Sequence, residues 1–271
     1  MKTWRLFFLT AVCLLGLSGT ASMEQAAAAE YREMFRAGNF YLVLKDGKNA
    51  CTLAAYDGNR LERTEYGNLQ WVASLNPLGA LFGDEENMPE AMYSRGNYYQ
   101  FDEDKECAFV LNENELTAEN LDPRQGWNTL KRKLAVPREL SMLCEDDPFR
   151  PEAPYLTKPS LAGSGKKVWD KKEYDCDSYV SSVLSAEKQE IAQIAYDLFY
   201  DEGALIAVQS FLRQNGAEHP ICNYEVKAIQ KEIPPKAFRI PKKTKVYAAG
   251  RGDMDDLIER PVQVGTLEGL P

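Results

Sequence analysis

The run FYLVLKDGKNACTLAAYDGNRLERTEY, residues Phe40 to Tyr66, decides the fold. Three short strand-prone stretches, Phe40 to Leu44, Cys51 to Tyr56 and Arg60 to Tyr66, are separated by Asp46-Gly47 and by Asp57-Gly58-Asn59. Asp-Gly between such stretches is the strongest local signal of a β-hairpin, because glycine, and often aspartate, accepts the positive φ of primed turns. The segment therefore reads as an antiparallel meander.

Outward from this meander the period changes. Toward the N-terminus, Glu24 to Ala37 carries good helix formers (Ala26 to Ala29, Glu33, Met34, Phe35) and Gly38 stands where a left-handed cap would end a helix. Toward the C-terminus, Met92 to Phe101 and Glu106 to Leu111 form a second hairpin around Asp102 to Lys105. Thr117 to Leu134 reads as a helix, with Leu121, Trp127, Leu130 and Leu134 at near-helical spacing, stopped by Pro137. Pro148, Pro151, Pro154, Pro159, Gly163 and Gly165 then mark a long connection at about 145–167.

Beyond the connection, Val168 to Val183 reads as two short strands around Asp175 to Asp177. Gln193 to Tyr200 and Ala204 to Leu212, joined by Asp201-Glu202-Gly203, read as a third hairpin, although Ala186 to Tyr200 also suits a helix ending at Gly203. Asn223 to Ile229 and Lys243 to Ala248 are strands, Asp253 to Glu259 suits a helical turn, and Arg260 to Val264 follows it. The fold class expected is α+β, mainly antiparallel β: a curved, half-open, barrel-like sheet with an N-terminal helix and a few short helices packed on it.

Composition limits the function. The chain has 271 residues and a formal charge of −9, with 41 Asp and Glu against 32 Lys and Arg. Such a charge repels phosphate backbones unless the cations are segregated, so no nucleic acid is expected as a partner. A single imidazole, His219, at a turn signal beside Pro220, leaves no multi-histidine metal site and little general-base chemistry. No cofactor is implied.

Residues 1–22 have the layout of a secretory signal peptide: Lys2 and Arg5, an apolar run from Leu6 to Leu17, then small and polar residues. Residues 23–271 would be a single exported domain, periplasmic or extracellular. Loss of the two cations takes the formal charge from −9 to −11. Cys51, Cys107, Cys144, Cys176 and Cys222 remain, an odd number compatible with one or two disulfides or with none.

The helix-then-strands layout, with YDGNRL (Tyr56 to Leu61), GNYYQFDEDKECAFVL (Gly96 to Leu111), LFYDEGALIAV (Leu198 to Val208) and IPPKAFRIPKKTKVY (Ile233 to Tyr247), resembles the lipoprotein-carrier superfamily of LolA and LolB. The resemblance is one of layout, over most of the chain. It implies a curved antiparallel sheet wrapped over helices, with an apolar cavity for acyl chains and no covalent chemistry. This chain departs from the carriers in its greater length, its Pro-rich insertion and its acidic charge.

The candidate site residues follow. The apolar run Trp71 to Gly83, with Trp71, Leu75, Leu78, Leu81 and Phe82, would be a lid, a loop touching a membrane surface, or a short core helix. Tyr98, Phe101, Phe109, Tyr196 and Phe199 would line a ligand pocket or pack the sheet. Acidic pairs such as Asp146-Asp147 and Asp175 with Asp177 read as solvated turns, since none matches a calcium loop. The partner expected is a lipid, an acyl chain or a lipidated protein. A protein-interaction role in the cell envelope and an exported hydrolase are the alternatives.

Overall fold

A computed structural model describes residues 28–65, 89–115, 126–234, 237–238, 240, 244–248 and 262–267. The signal-like segment at residues 1–22, the run from Trp71 to Gly83 and the stretch Asp253 to Glu259 expected to form a helical turn lie outside the described residues.

Alternation of side chains builds the sheet. In β1 (Phe40–Asp46), Phe40, Leu42 and Leu44 are buried while the residues between them are partly exposed, as period-two strands with one packed face require. β2 (Asn49–Tyr56) and β3 (Asn59–Glu65) continue the meander in register, Phe40 opposite Ala55 and Ala55 opposite Arg60. The second hairpin is interrupted. Arg95 and Gly96 both take positive φ, at 51° and 79°, and split the expected strand into β4 (Ala91–Ser94) and β5 (Asn97–Asp102) before β6 (Cys107–Asn112).

The connection also ends earlier than expected, because Ser160 already opens β7 (Ser160–Trp169). The two strands expected around Asp175 to Asp177 are instead β7 and β8 (Lys172–Leu184), turning at Asp170-Lys171, where both residues have positive φ. β9 (Glu190–Asp201) and β10 (Ala204–Gln214) form the third hairpin, with Glu202 at φ 50° and Gly203 at φ 84°. The strand reading of this segment thus wins over the helix, since cross-strand pairing buries both faces of β9. β11 (Ala217–Gln230) includes His219, which lies exposed in a strand opposite Leu212 and not at a turn. Pro220 is tolerated beside it because β1 pairs only with Glu225 to Gln230, so among the described residues this end of β11 has no partner on that side.

With β12 (Thr244–Ala248) and β13 (Val262–Leu267), the strands form one open sheet in the order β13-β12-β6-β5-β4-β3-β2-β1-β11-β10-β9-β8-β7. Among the described residues every strand pairing is antiparallel except β12 with β6.

One face carries the helices. Helix α1, residues 28–37, ends at Gly38 (φ 68°), whose N–H donates to the Phe35 carbonyl. It packs Met34 and Phe35 onto Phe40, Leu42, Leu198 and Tyr200. Helix α2 (Gly126–Lys133), shorter among the described residues than the expected Thr117 to Leu134, sets Leu130 against Ala91, Tyr98 and Leu111. The whole connection between α2 and β7, residues 134–159, folds onto the same face: Val136, Leu140, Met142 and Leu143 join the α1 core, and Phe149 joins the α2 core. On the opposite, outer face, Ile240 covers Met92, Phe101 and Ala108, and Trp169 packs near Cys176 and Phe199.

Candidate ligand-binding site

Two adjoining chambers lie where α1 and the connection meet the sheet. The larger, about 980 Å³, is walled by Arg32, Phe35 and Arg36 of α1, the β2–β3 turn at Asp57 to Arg60, Tyr93 and Tyr98, and the loop from Leu143 to Phe149. Its size is at the upper end of small-molecule sites. Its aromatic wall is continuous. The Phe149 ring stands edge-on to Tyr93 at 5.2 Å and to Tyr98 at 6.2 Å, and the Tyr93 and Tyr98 rings are 4.9 Å apart. Burial, then the nearby Tyr93 and Glu113, push the Tyr98 phenol up to about 12, so it stays a neutral donor. Tyr93 donates to Glu113 Oε2 at 2.6 Å, and that bond to a carboxylate is the main cause raising its own pKa.

Beneath the wall is a buried ion pair. Arg60 Nη1 meets Asp147 Oδ1 at 2.6 Å and also donates to the Leu134 carbonyl at 2.9 Å. Asp147 Oδ2 accepts the Val136 N–H at 2.5 Å, and Oδ1 accepts the Phe149 N–H at 3.2 Å. The guanidinium lies over the Phe149 ring at 4.4 Å and the Phe40 ring at 5.1 Å. Asp147 is therefore no solvated turn residue. It anchors the connection to the sheet, satisfying all the charge it buries.

The smaller chamber, about 280 Å³, lies under the connection against β8 and β9, and shares Arg32 and Glu145 with the larger. Its floor is Ser141, Ser181 and Tyr196; Arg138 and Arg150 flank it, and Lys158 stands at the mouth.

No protein-family model and no curated protein matches this chain.

The sequence candidates divide among several places. Tyr98 lines the larger chamber and Tyr196 the smaller. Phe109 is buried on the face that carries the helices, 6.0 Å from the Tyr247 ring. Phe101 and Phe199 belong to the outer-face clusters, on the side away from both chambers. Trp71, Leu75, Leu78, Leu81 and Phe82 lie outside the described residues. Sequence reasoning missed Arg32, Arg138, Arg150, Phe149 and Ser181. No local signal marked the cations, because Arg138, Arg150 and Lys158 are interspersed with Glu139, Glu145, Asp146, Asp147 and Glu152.

The remaining reactive groups are held quiet. All five described cysteines are free thiols. Burial is the leading cause that pushes Cys144 up to about 11 and Cys51, Cys176 and Cys222 up to about 12, so thiolate chemistry is suppressed.

Glu62, also buried, accepts from Thr64 Oγ1 at 2.6 Å, while its Oε2 has no hydrogen-bond partner. Burial is the main cause raising its pKa from 4.5, with the bond from Thr64 opposing and the charge of Glu90 reinforcing it. A carboxyl whose folded value is raised favours the fold fully only below its unfolded pKa, and that contribution is lost as pH rises through the folded value. Glu62→Gln is expected to raise the urea midpoint at about pH 8 and to leave it nearly unchanged at about pH 4. Equal shifts at both pH values would show that Glu62 is not a buried acid.

Proposed function

We propose that the protein is an exported, non-catalytic binding protein that holds a hydrophobic ligand, a lipid, acyl chain or lipidated partner, between α1 and a curved, half-open sheet. The observation that carries this reading is the larger chamber: a cavity of about 980 Å³ with an aromatic wall of Phe35, Tyr93, Tyr98 and Phe149, roofed by a helix. Thirteen strands in one open sheet support the curvature, because twisted open sheets rarely exceed about ten strands without curling. Burial supplies the affinity at about 25 cal/mol per Å² of apolar surface, so a single acyl chain reaches useful affinity without chemistry. The resemblance in layout to the LolA and LolB carriers points the same way, as does the signal-like segment at 1–22.

A neutral detergent-like amphiphile, dodecyl maltoside below its micellar concentration, is the test ligand. Saturable binding that quenches tyrosine fluorescence, weakened about tenfold or more by Tyr98→Ala, is the expected result. Binding that is absent, or unchanged in the folded variant, would remove the chamber as the site.

A second reading, docking of another protein, draws on one observation. β7 is an edge strand of ten residues that exposes Leu161 and Val168, a surface suited to strand addition.

A further inference from the structure

The smaller chamber has a chemistry the larger lacks. Ser181 is fully buried and Tyr196 is 1% exposed, with their two hydroxyls facing one another, while the hydroxyl of buried Ser141 has no hydrogen-bond partner. All three residues line the chamber. An unpartnered buried hydroxyl is costly, and such groups in native proteins call for an occupant or a function.

Charge says which occupant fits. Four cations, Arg32, Arg138, Arg150 and Lys158, line the chamber against one carboxylate, Glu145, in a chain whose overall charge is −9. The only ion pair among these five is Lys158 with Glu145, at 3.7 Å and well exposed at the mouth. Two of the arginines are positioned by carbonyls instead. Arg150 Nη1 donates to the Cys144 carbonyl at 2.6 Å and Arg32 Nε to the Met142 carbonyl at 3.2 Å, while Arg150 Nε is buried without a partner. Carbonyl bonds orient a guanidinium without neutralising it. Glu139 brings a second carboxylate to bear on Tyr196, yet the four cations that line the chamber stay in excess, and water that satisfies the hydroxyls does not change that balance.

We infer that the smaller chamber is a binding site for an oxyanion of the phosphate type, gripped by the arginines and hydrogen-bonded by Ser181 and Tyr196. Guanidinium forks match phosphate oxygens, and bonds to a charged acceptor are the strong ones. Because the two chambers share Arg32 and Glu145, the oxyanion can be the headgroup of an amphiphile whose tail occupies the larger chamber, or a free anion. The first form rests on the proposed function and the second does not.

Isothermal titration of the purified protein with inorganic phosphate, dodecyl phosphate and dodecyl maltoside separates these cases. Saturable heat from inorganic phosphate supports a free-anion site. Dodecyl phosphate binding at least about tenfold tighter than dodecyl maltoside, with no heat from inorganic phosphate, supports a headgroup site. Equal affinity for the two dodecyl probes overturns the inference and leaves the proposed function standing. Silence from all three overturns both. In Ser181→Ala and Tyr196→Phe, the affinity for the phosphate-bearing probe that binds falls about tenfold. The melting temperature of the ligand-free protein falls by no more than a few degrees, because each variant removes at most the one bond between these two hydroxyls. Should either fail to fold, Arg138→Gln carries the same expectation. Unchanged affinity in the folded variants overturns the assignment of this chamber.

Discussion

Asp147→Asn is expected to destabilise the protein by about 3–5 kcal/mol, the usual consequence of removing one partner from a buried ion pair. The side chain of Asp147 is fully buried and that of Arg60 is 7% exposed, so solvent screening discounts little of this. The loss has two parts. Arg60 keeps its charge but is left with only the Leu134 carbonyl and the faces of Phe40 and Phe149. The loop then loses a carboxylate that bound two of its own backbone N–H groups, at Val136 and Phe149. For a chain of this size, each kcal/mol lowers Tm by roughly 2–4 °C. The pair also ties residues 134–149 to β3, so the variant should bind dodecyl maltoside less well even where it remains folded. A double-mutant cycle with Arg60→Leu checks the origin of the effect. The double variant should lose clearly less than the sum of the singles, whereas additive losses would show that the two side chains do not act as a pair.

Phe40→Ala is the second large effect, at about 3–5 kcal/mol, the range for emptying a fully buried phenylalanine site. Phe40 has no exposed surface and starts β1, where its ring meets Phe35 of α1 edge-on at 5.0 Å and carries the Arg60 guanidinium on its face. Truncation removes the seat of α1 and one side of the cation–π sandwich together. Because Arg32 and Phe35 of α1 line the larger chamber, hydrogen exchange over residues 28–37 should accelerate more than exchange over β9. Uniform acceleration across both would mean that α1 is not separately anchored by this contact.

The turns explain how far the sequence could be read. Asp57-Gly58 and Glu202-Gly203 were legible because the second turn residue is glycine with positive φ between apolar runs. Asp170-Lys171 was not, because two non-glycine residues take the same conformation, held there by the β7–β8 pairing. Arg95-Gly96 was hidden inside a run of tyrosines that reads as one strand. The connection defeated reading for another reason. Its prolines announce irregular backbone but not where that backbone packs, and Asp147 is 87 residues from the arginine that gives it meaning. The chambers were legible only in their aromatic component. Tyr98 and Tyr196 could be named from density alone, but period-two strands send Phe199 to the opposite face from Tyr196, a register that only cross-strand pairing fixes. The buried hydroxyls of Ser141, Ser181 and Tyr196 come from three separate segments and carry no local pattern.

Native mass spectrometry of the protein purified without detergent or organic solvent tests the central claim most directly. The account predicts a population heavier than the bare polypeptide by one non-covalent amphiphile, released on collisional activation, and lost or much reduced in Tyr98→Ala. Only the bare polypeptide mass, together with failure to take up added dodecyl maltoside or dodecyl phosphate, would contradict it.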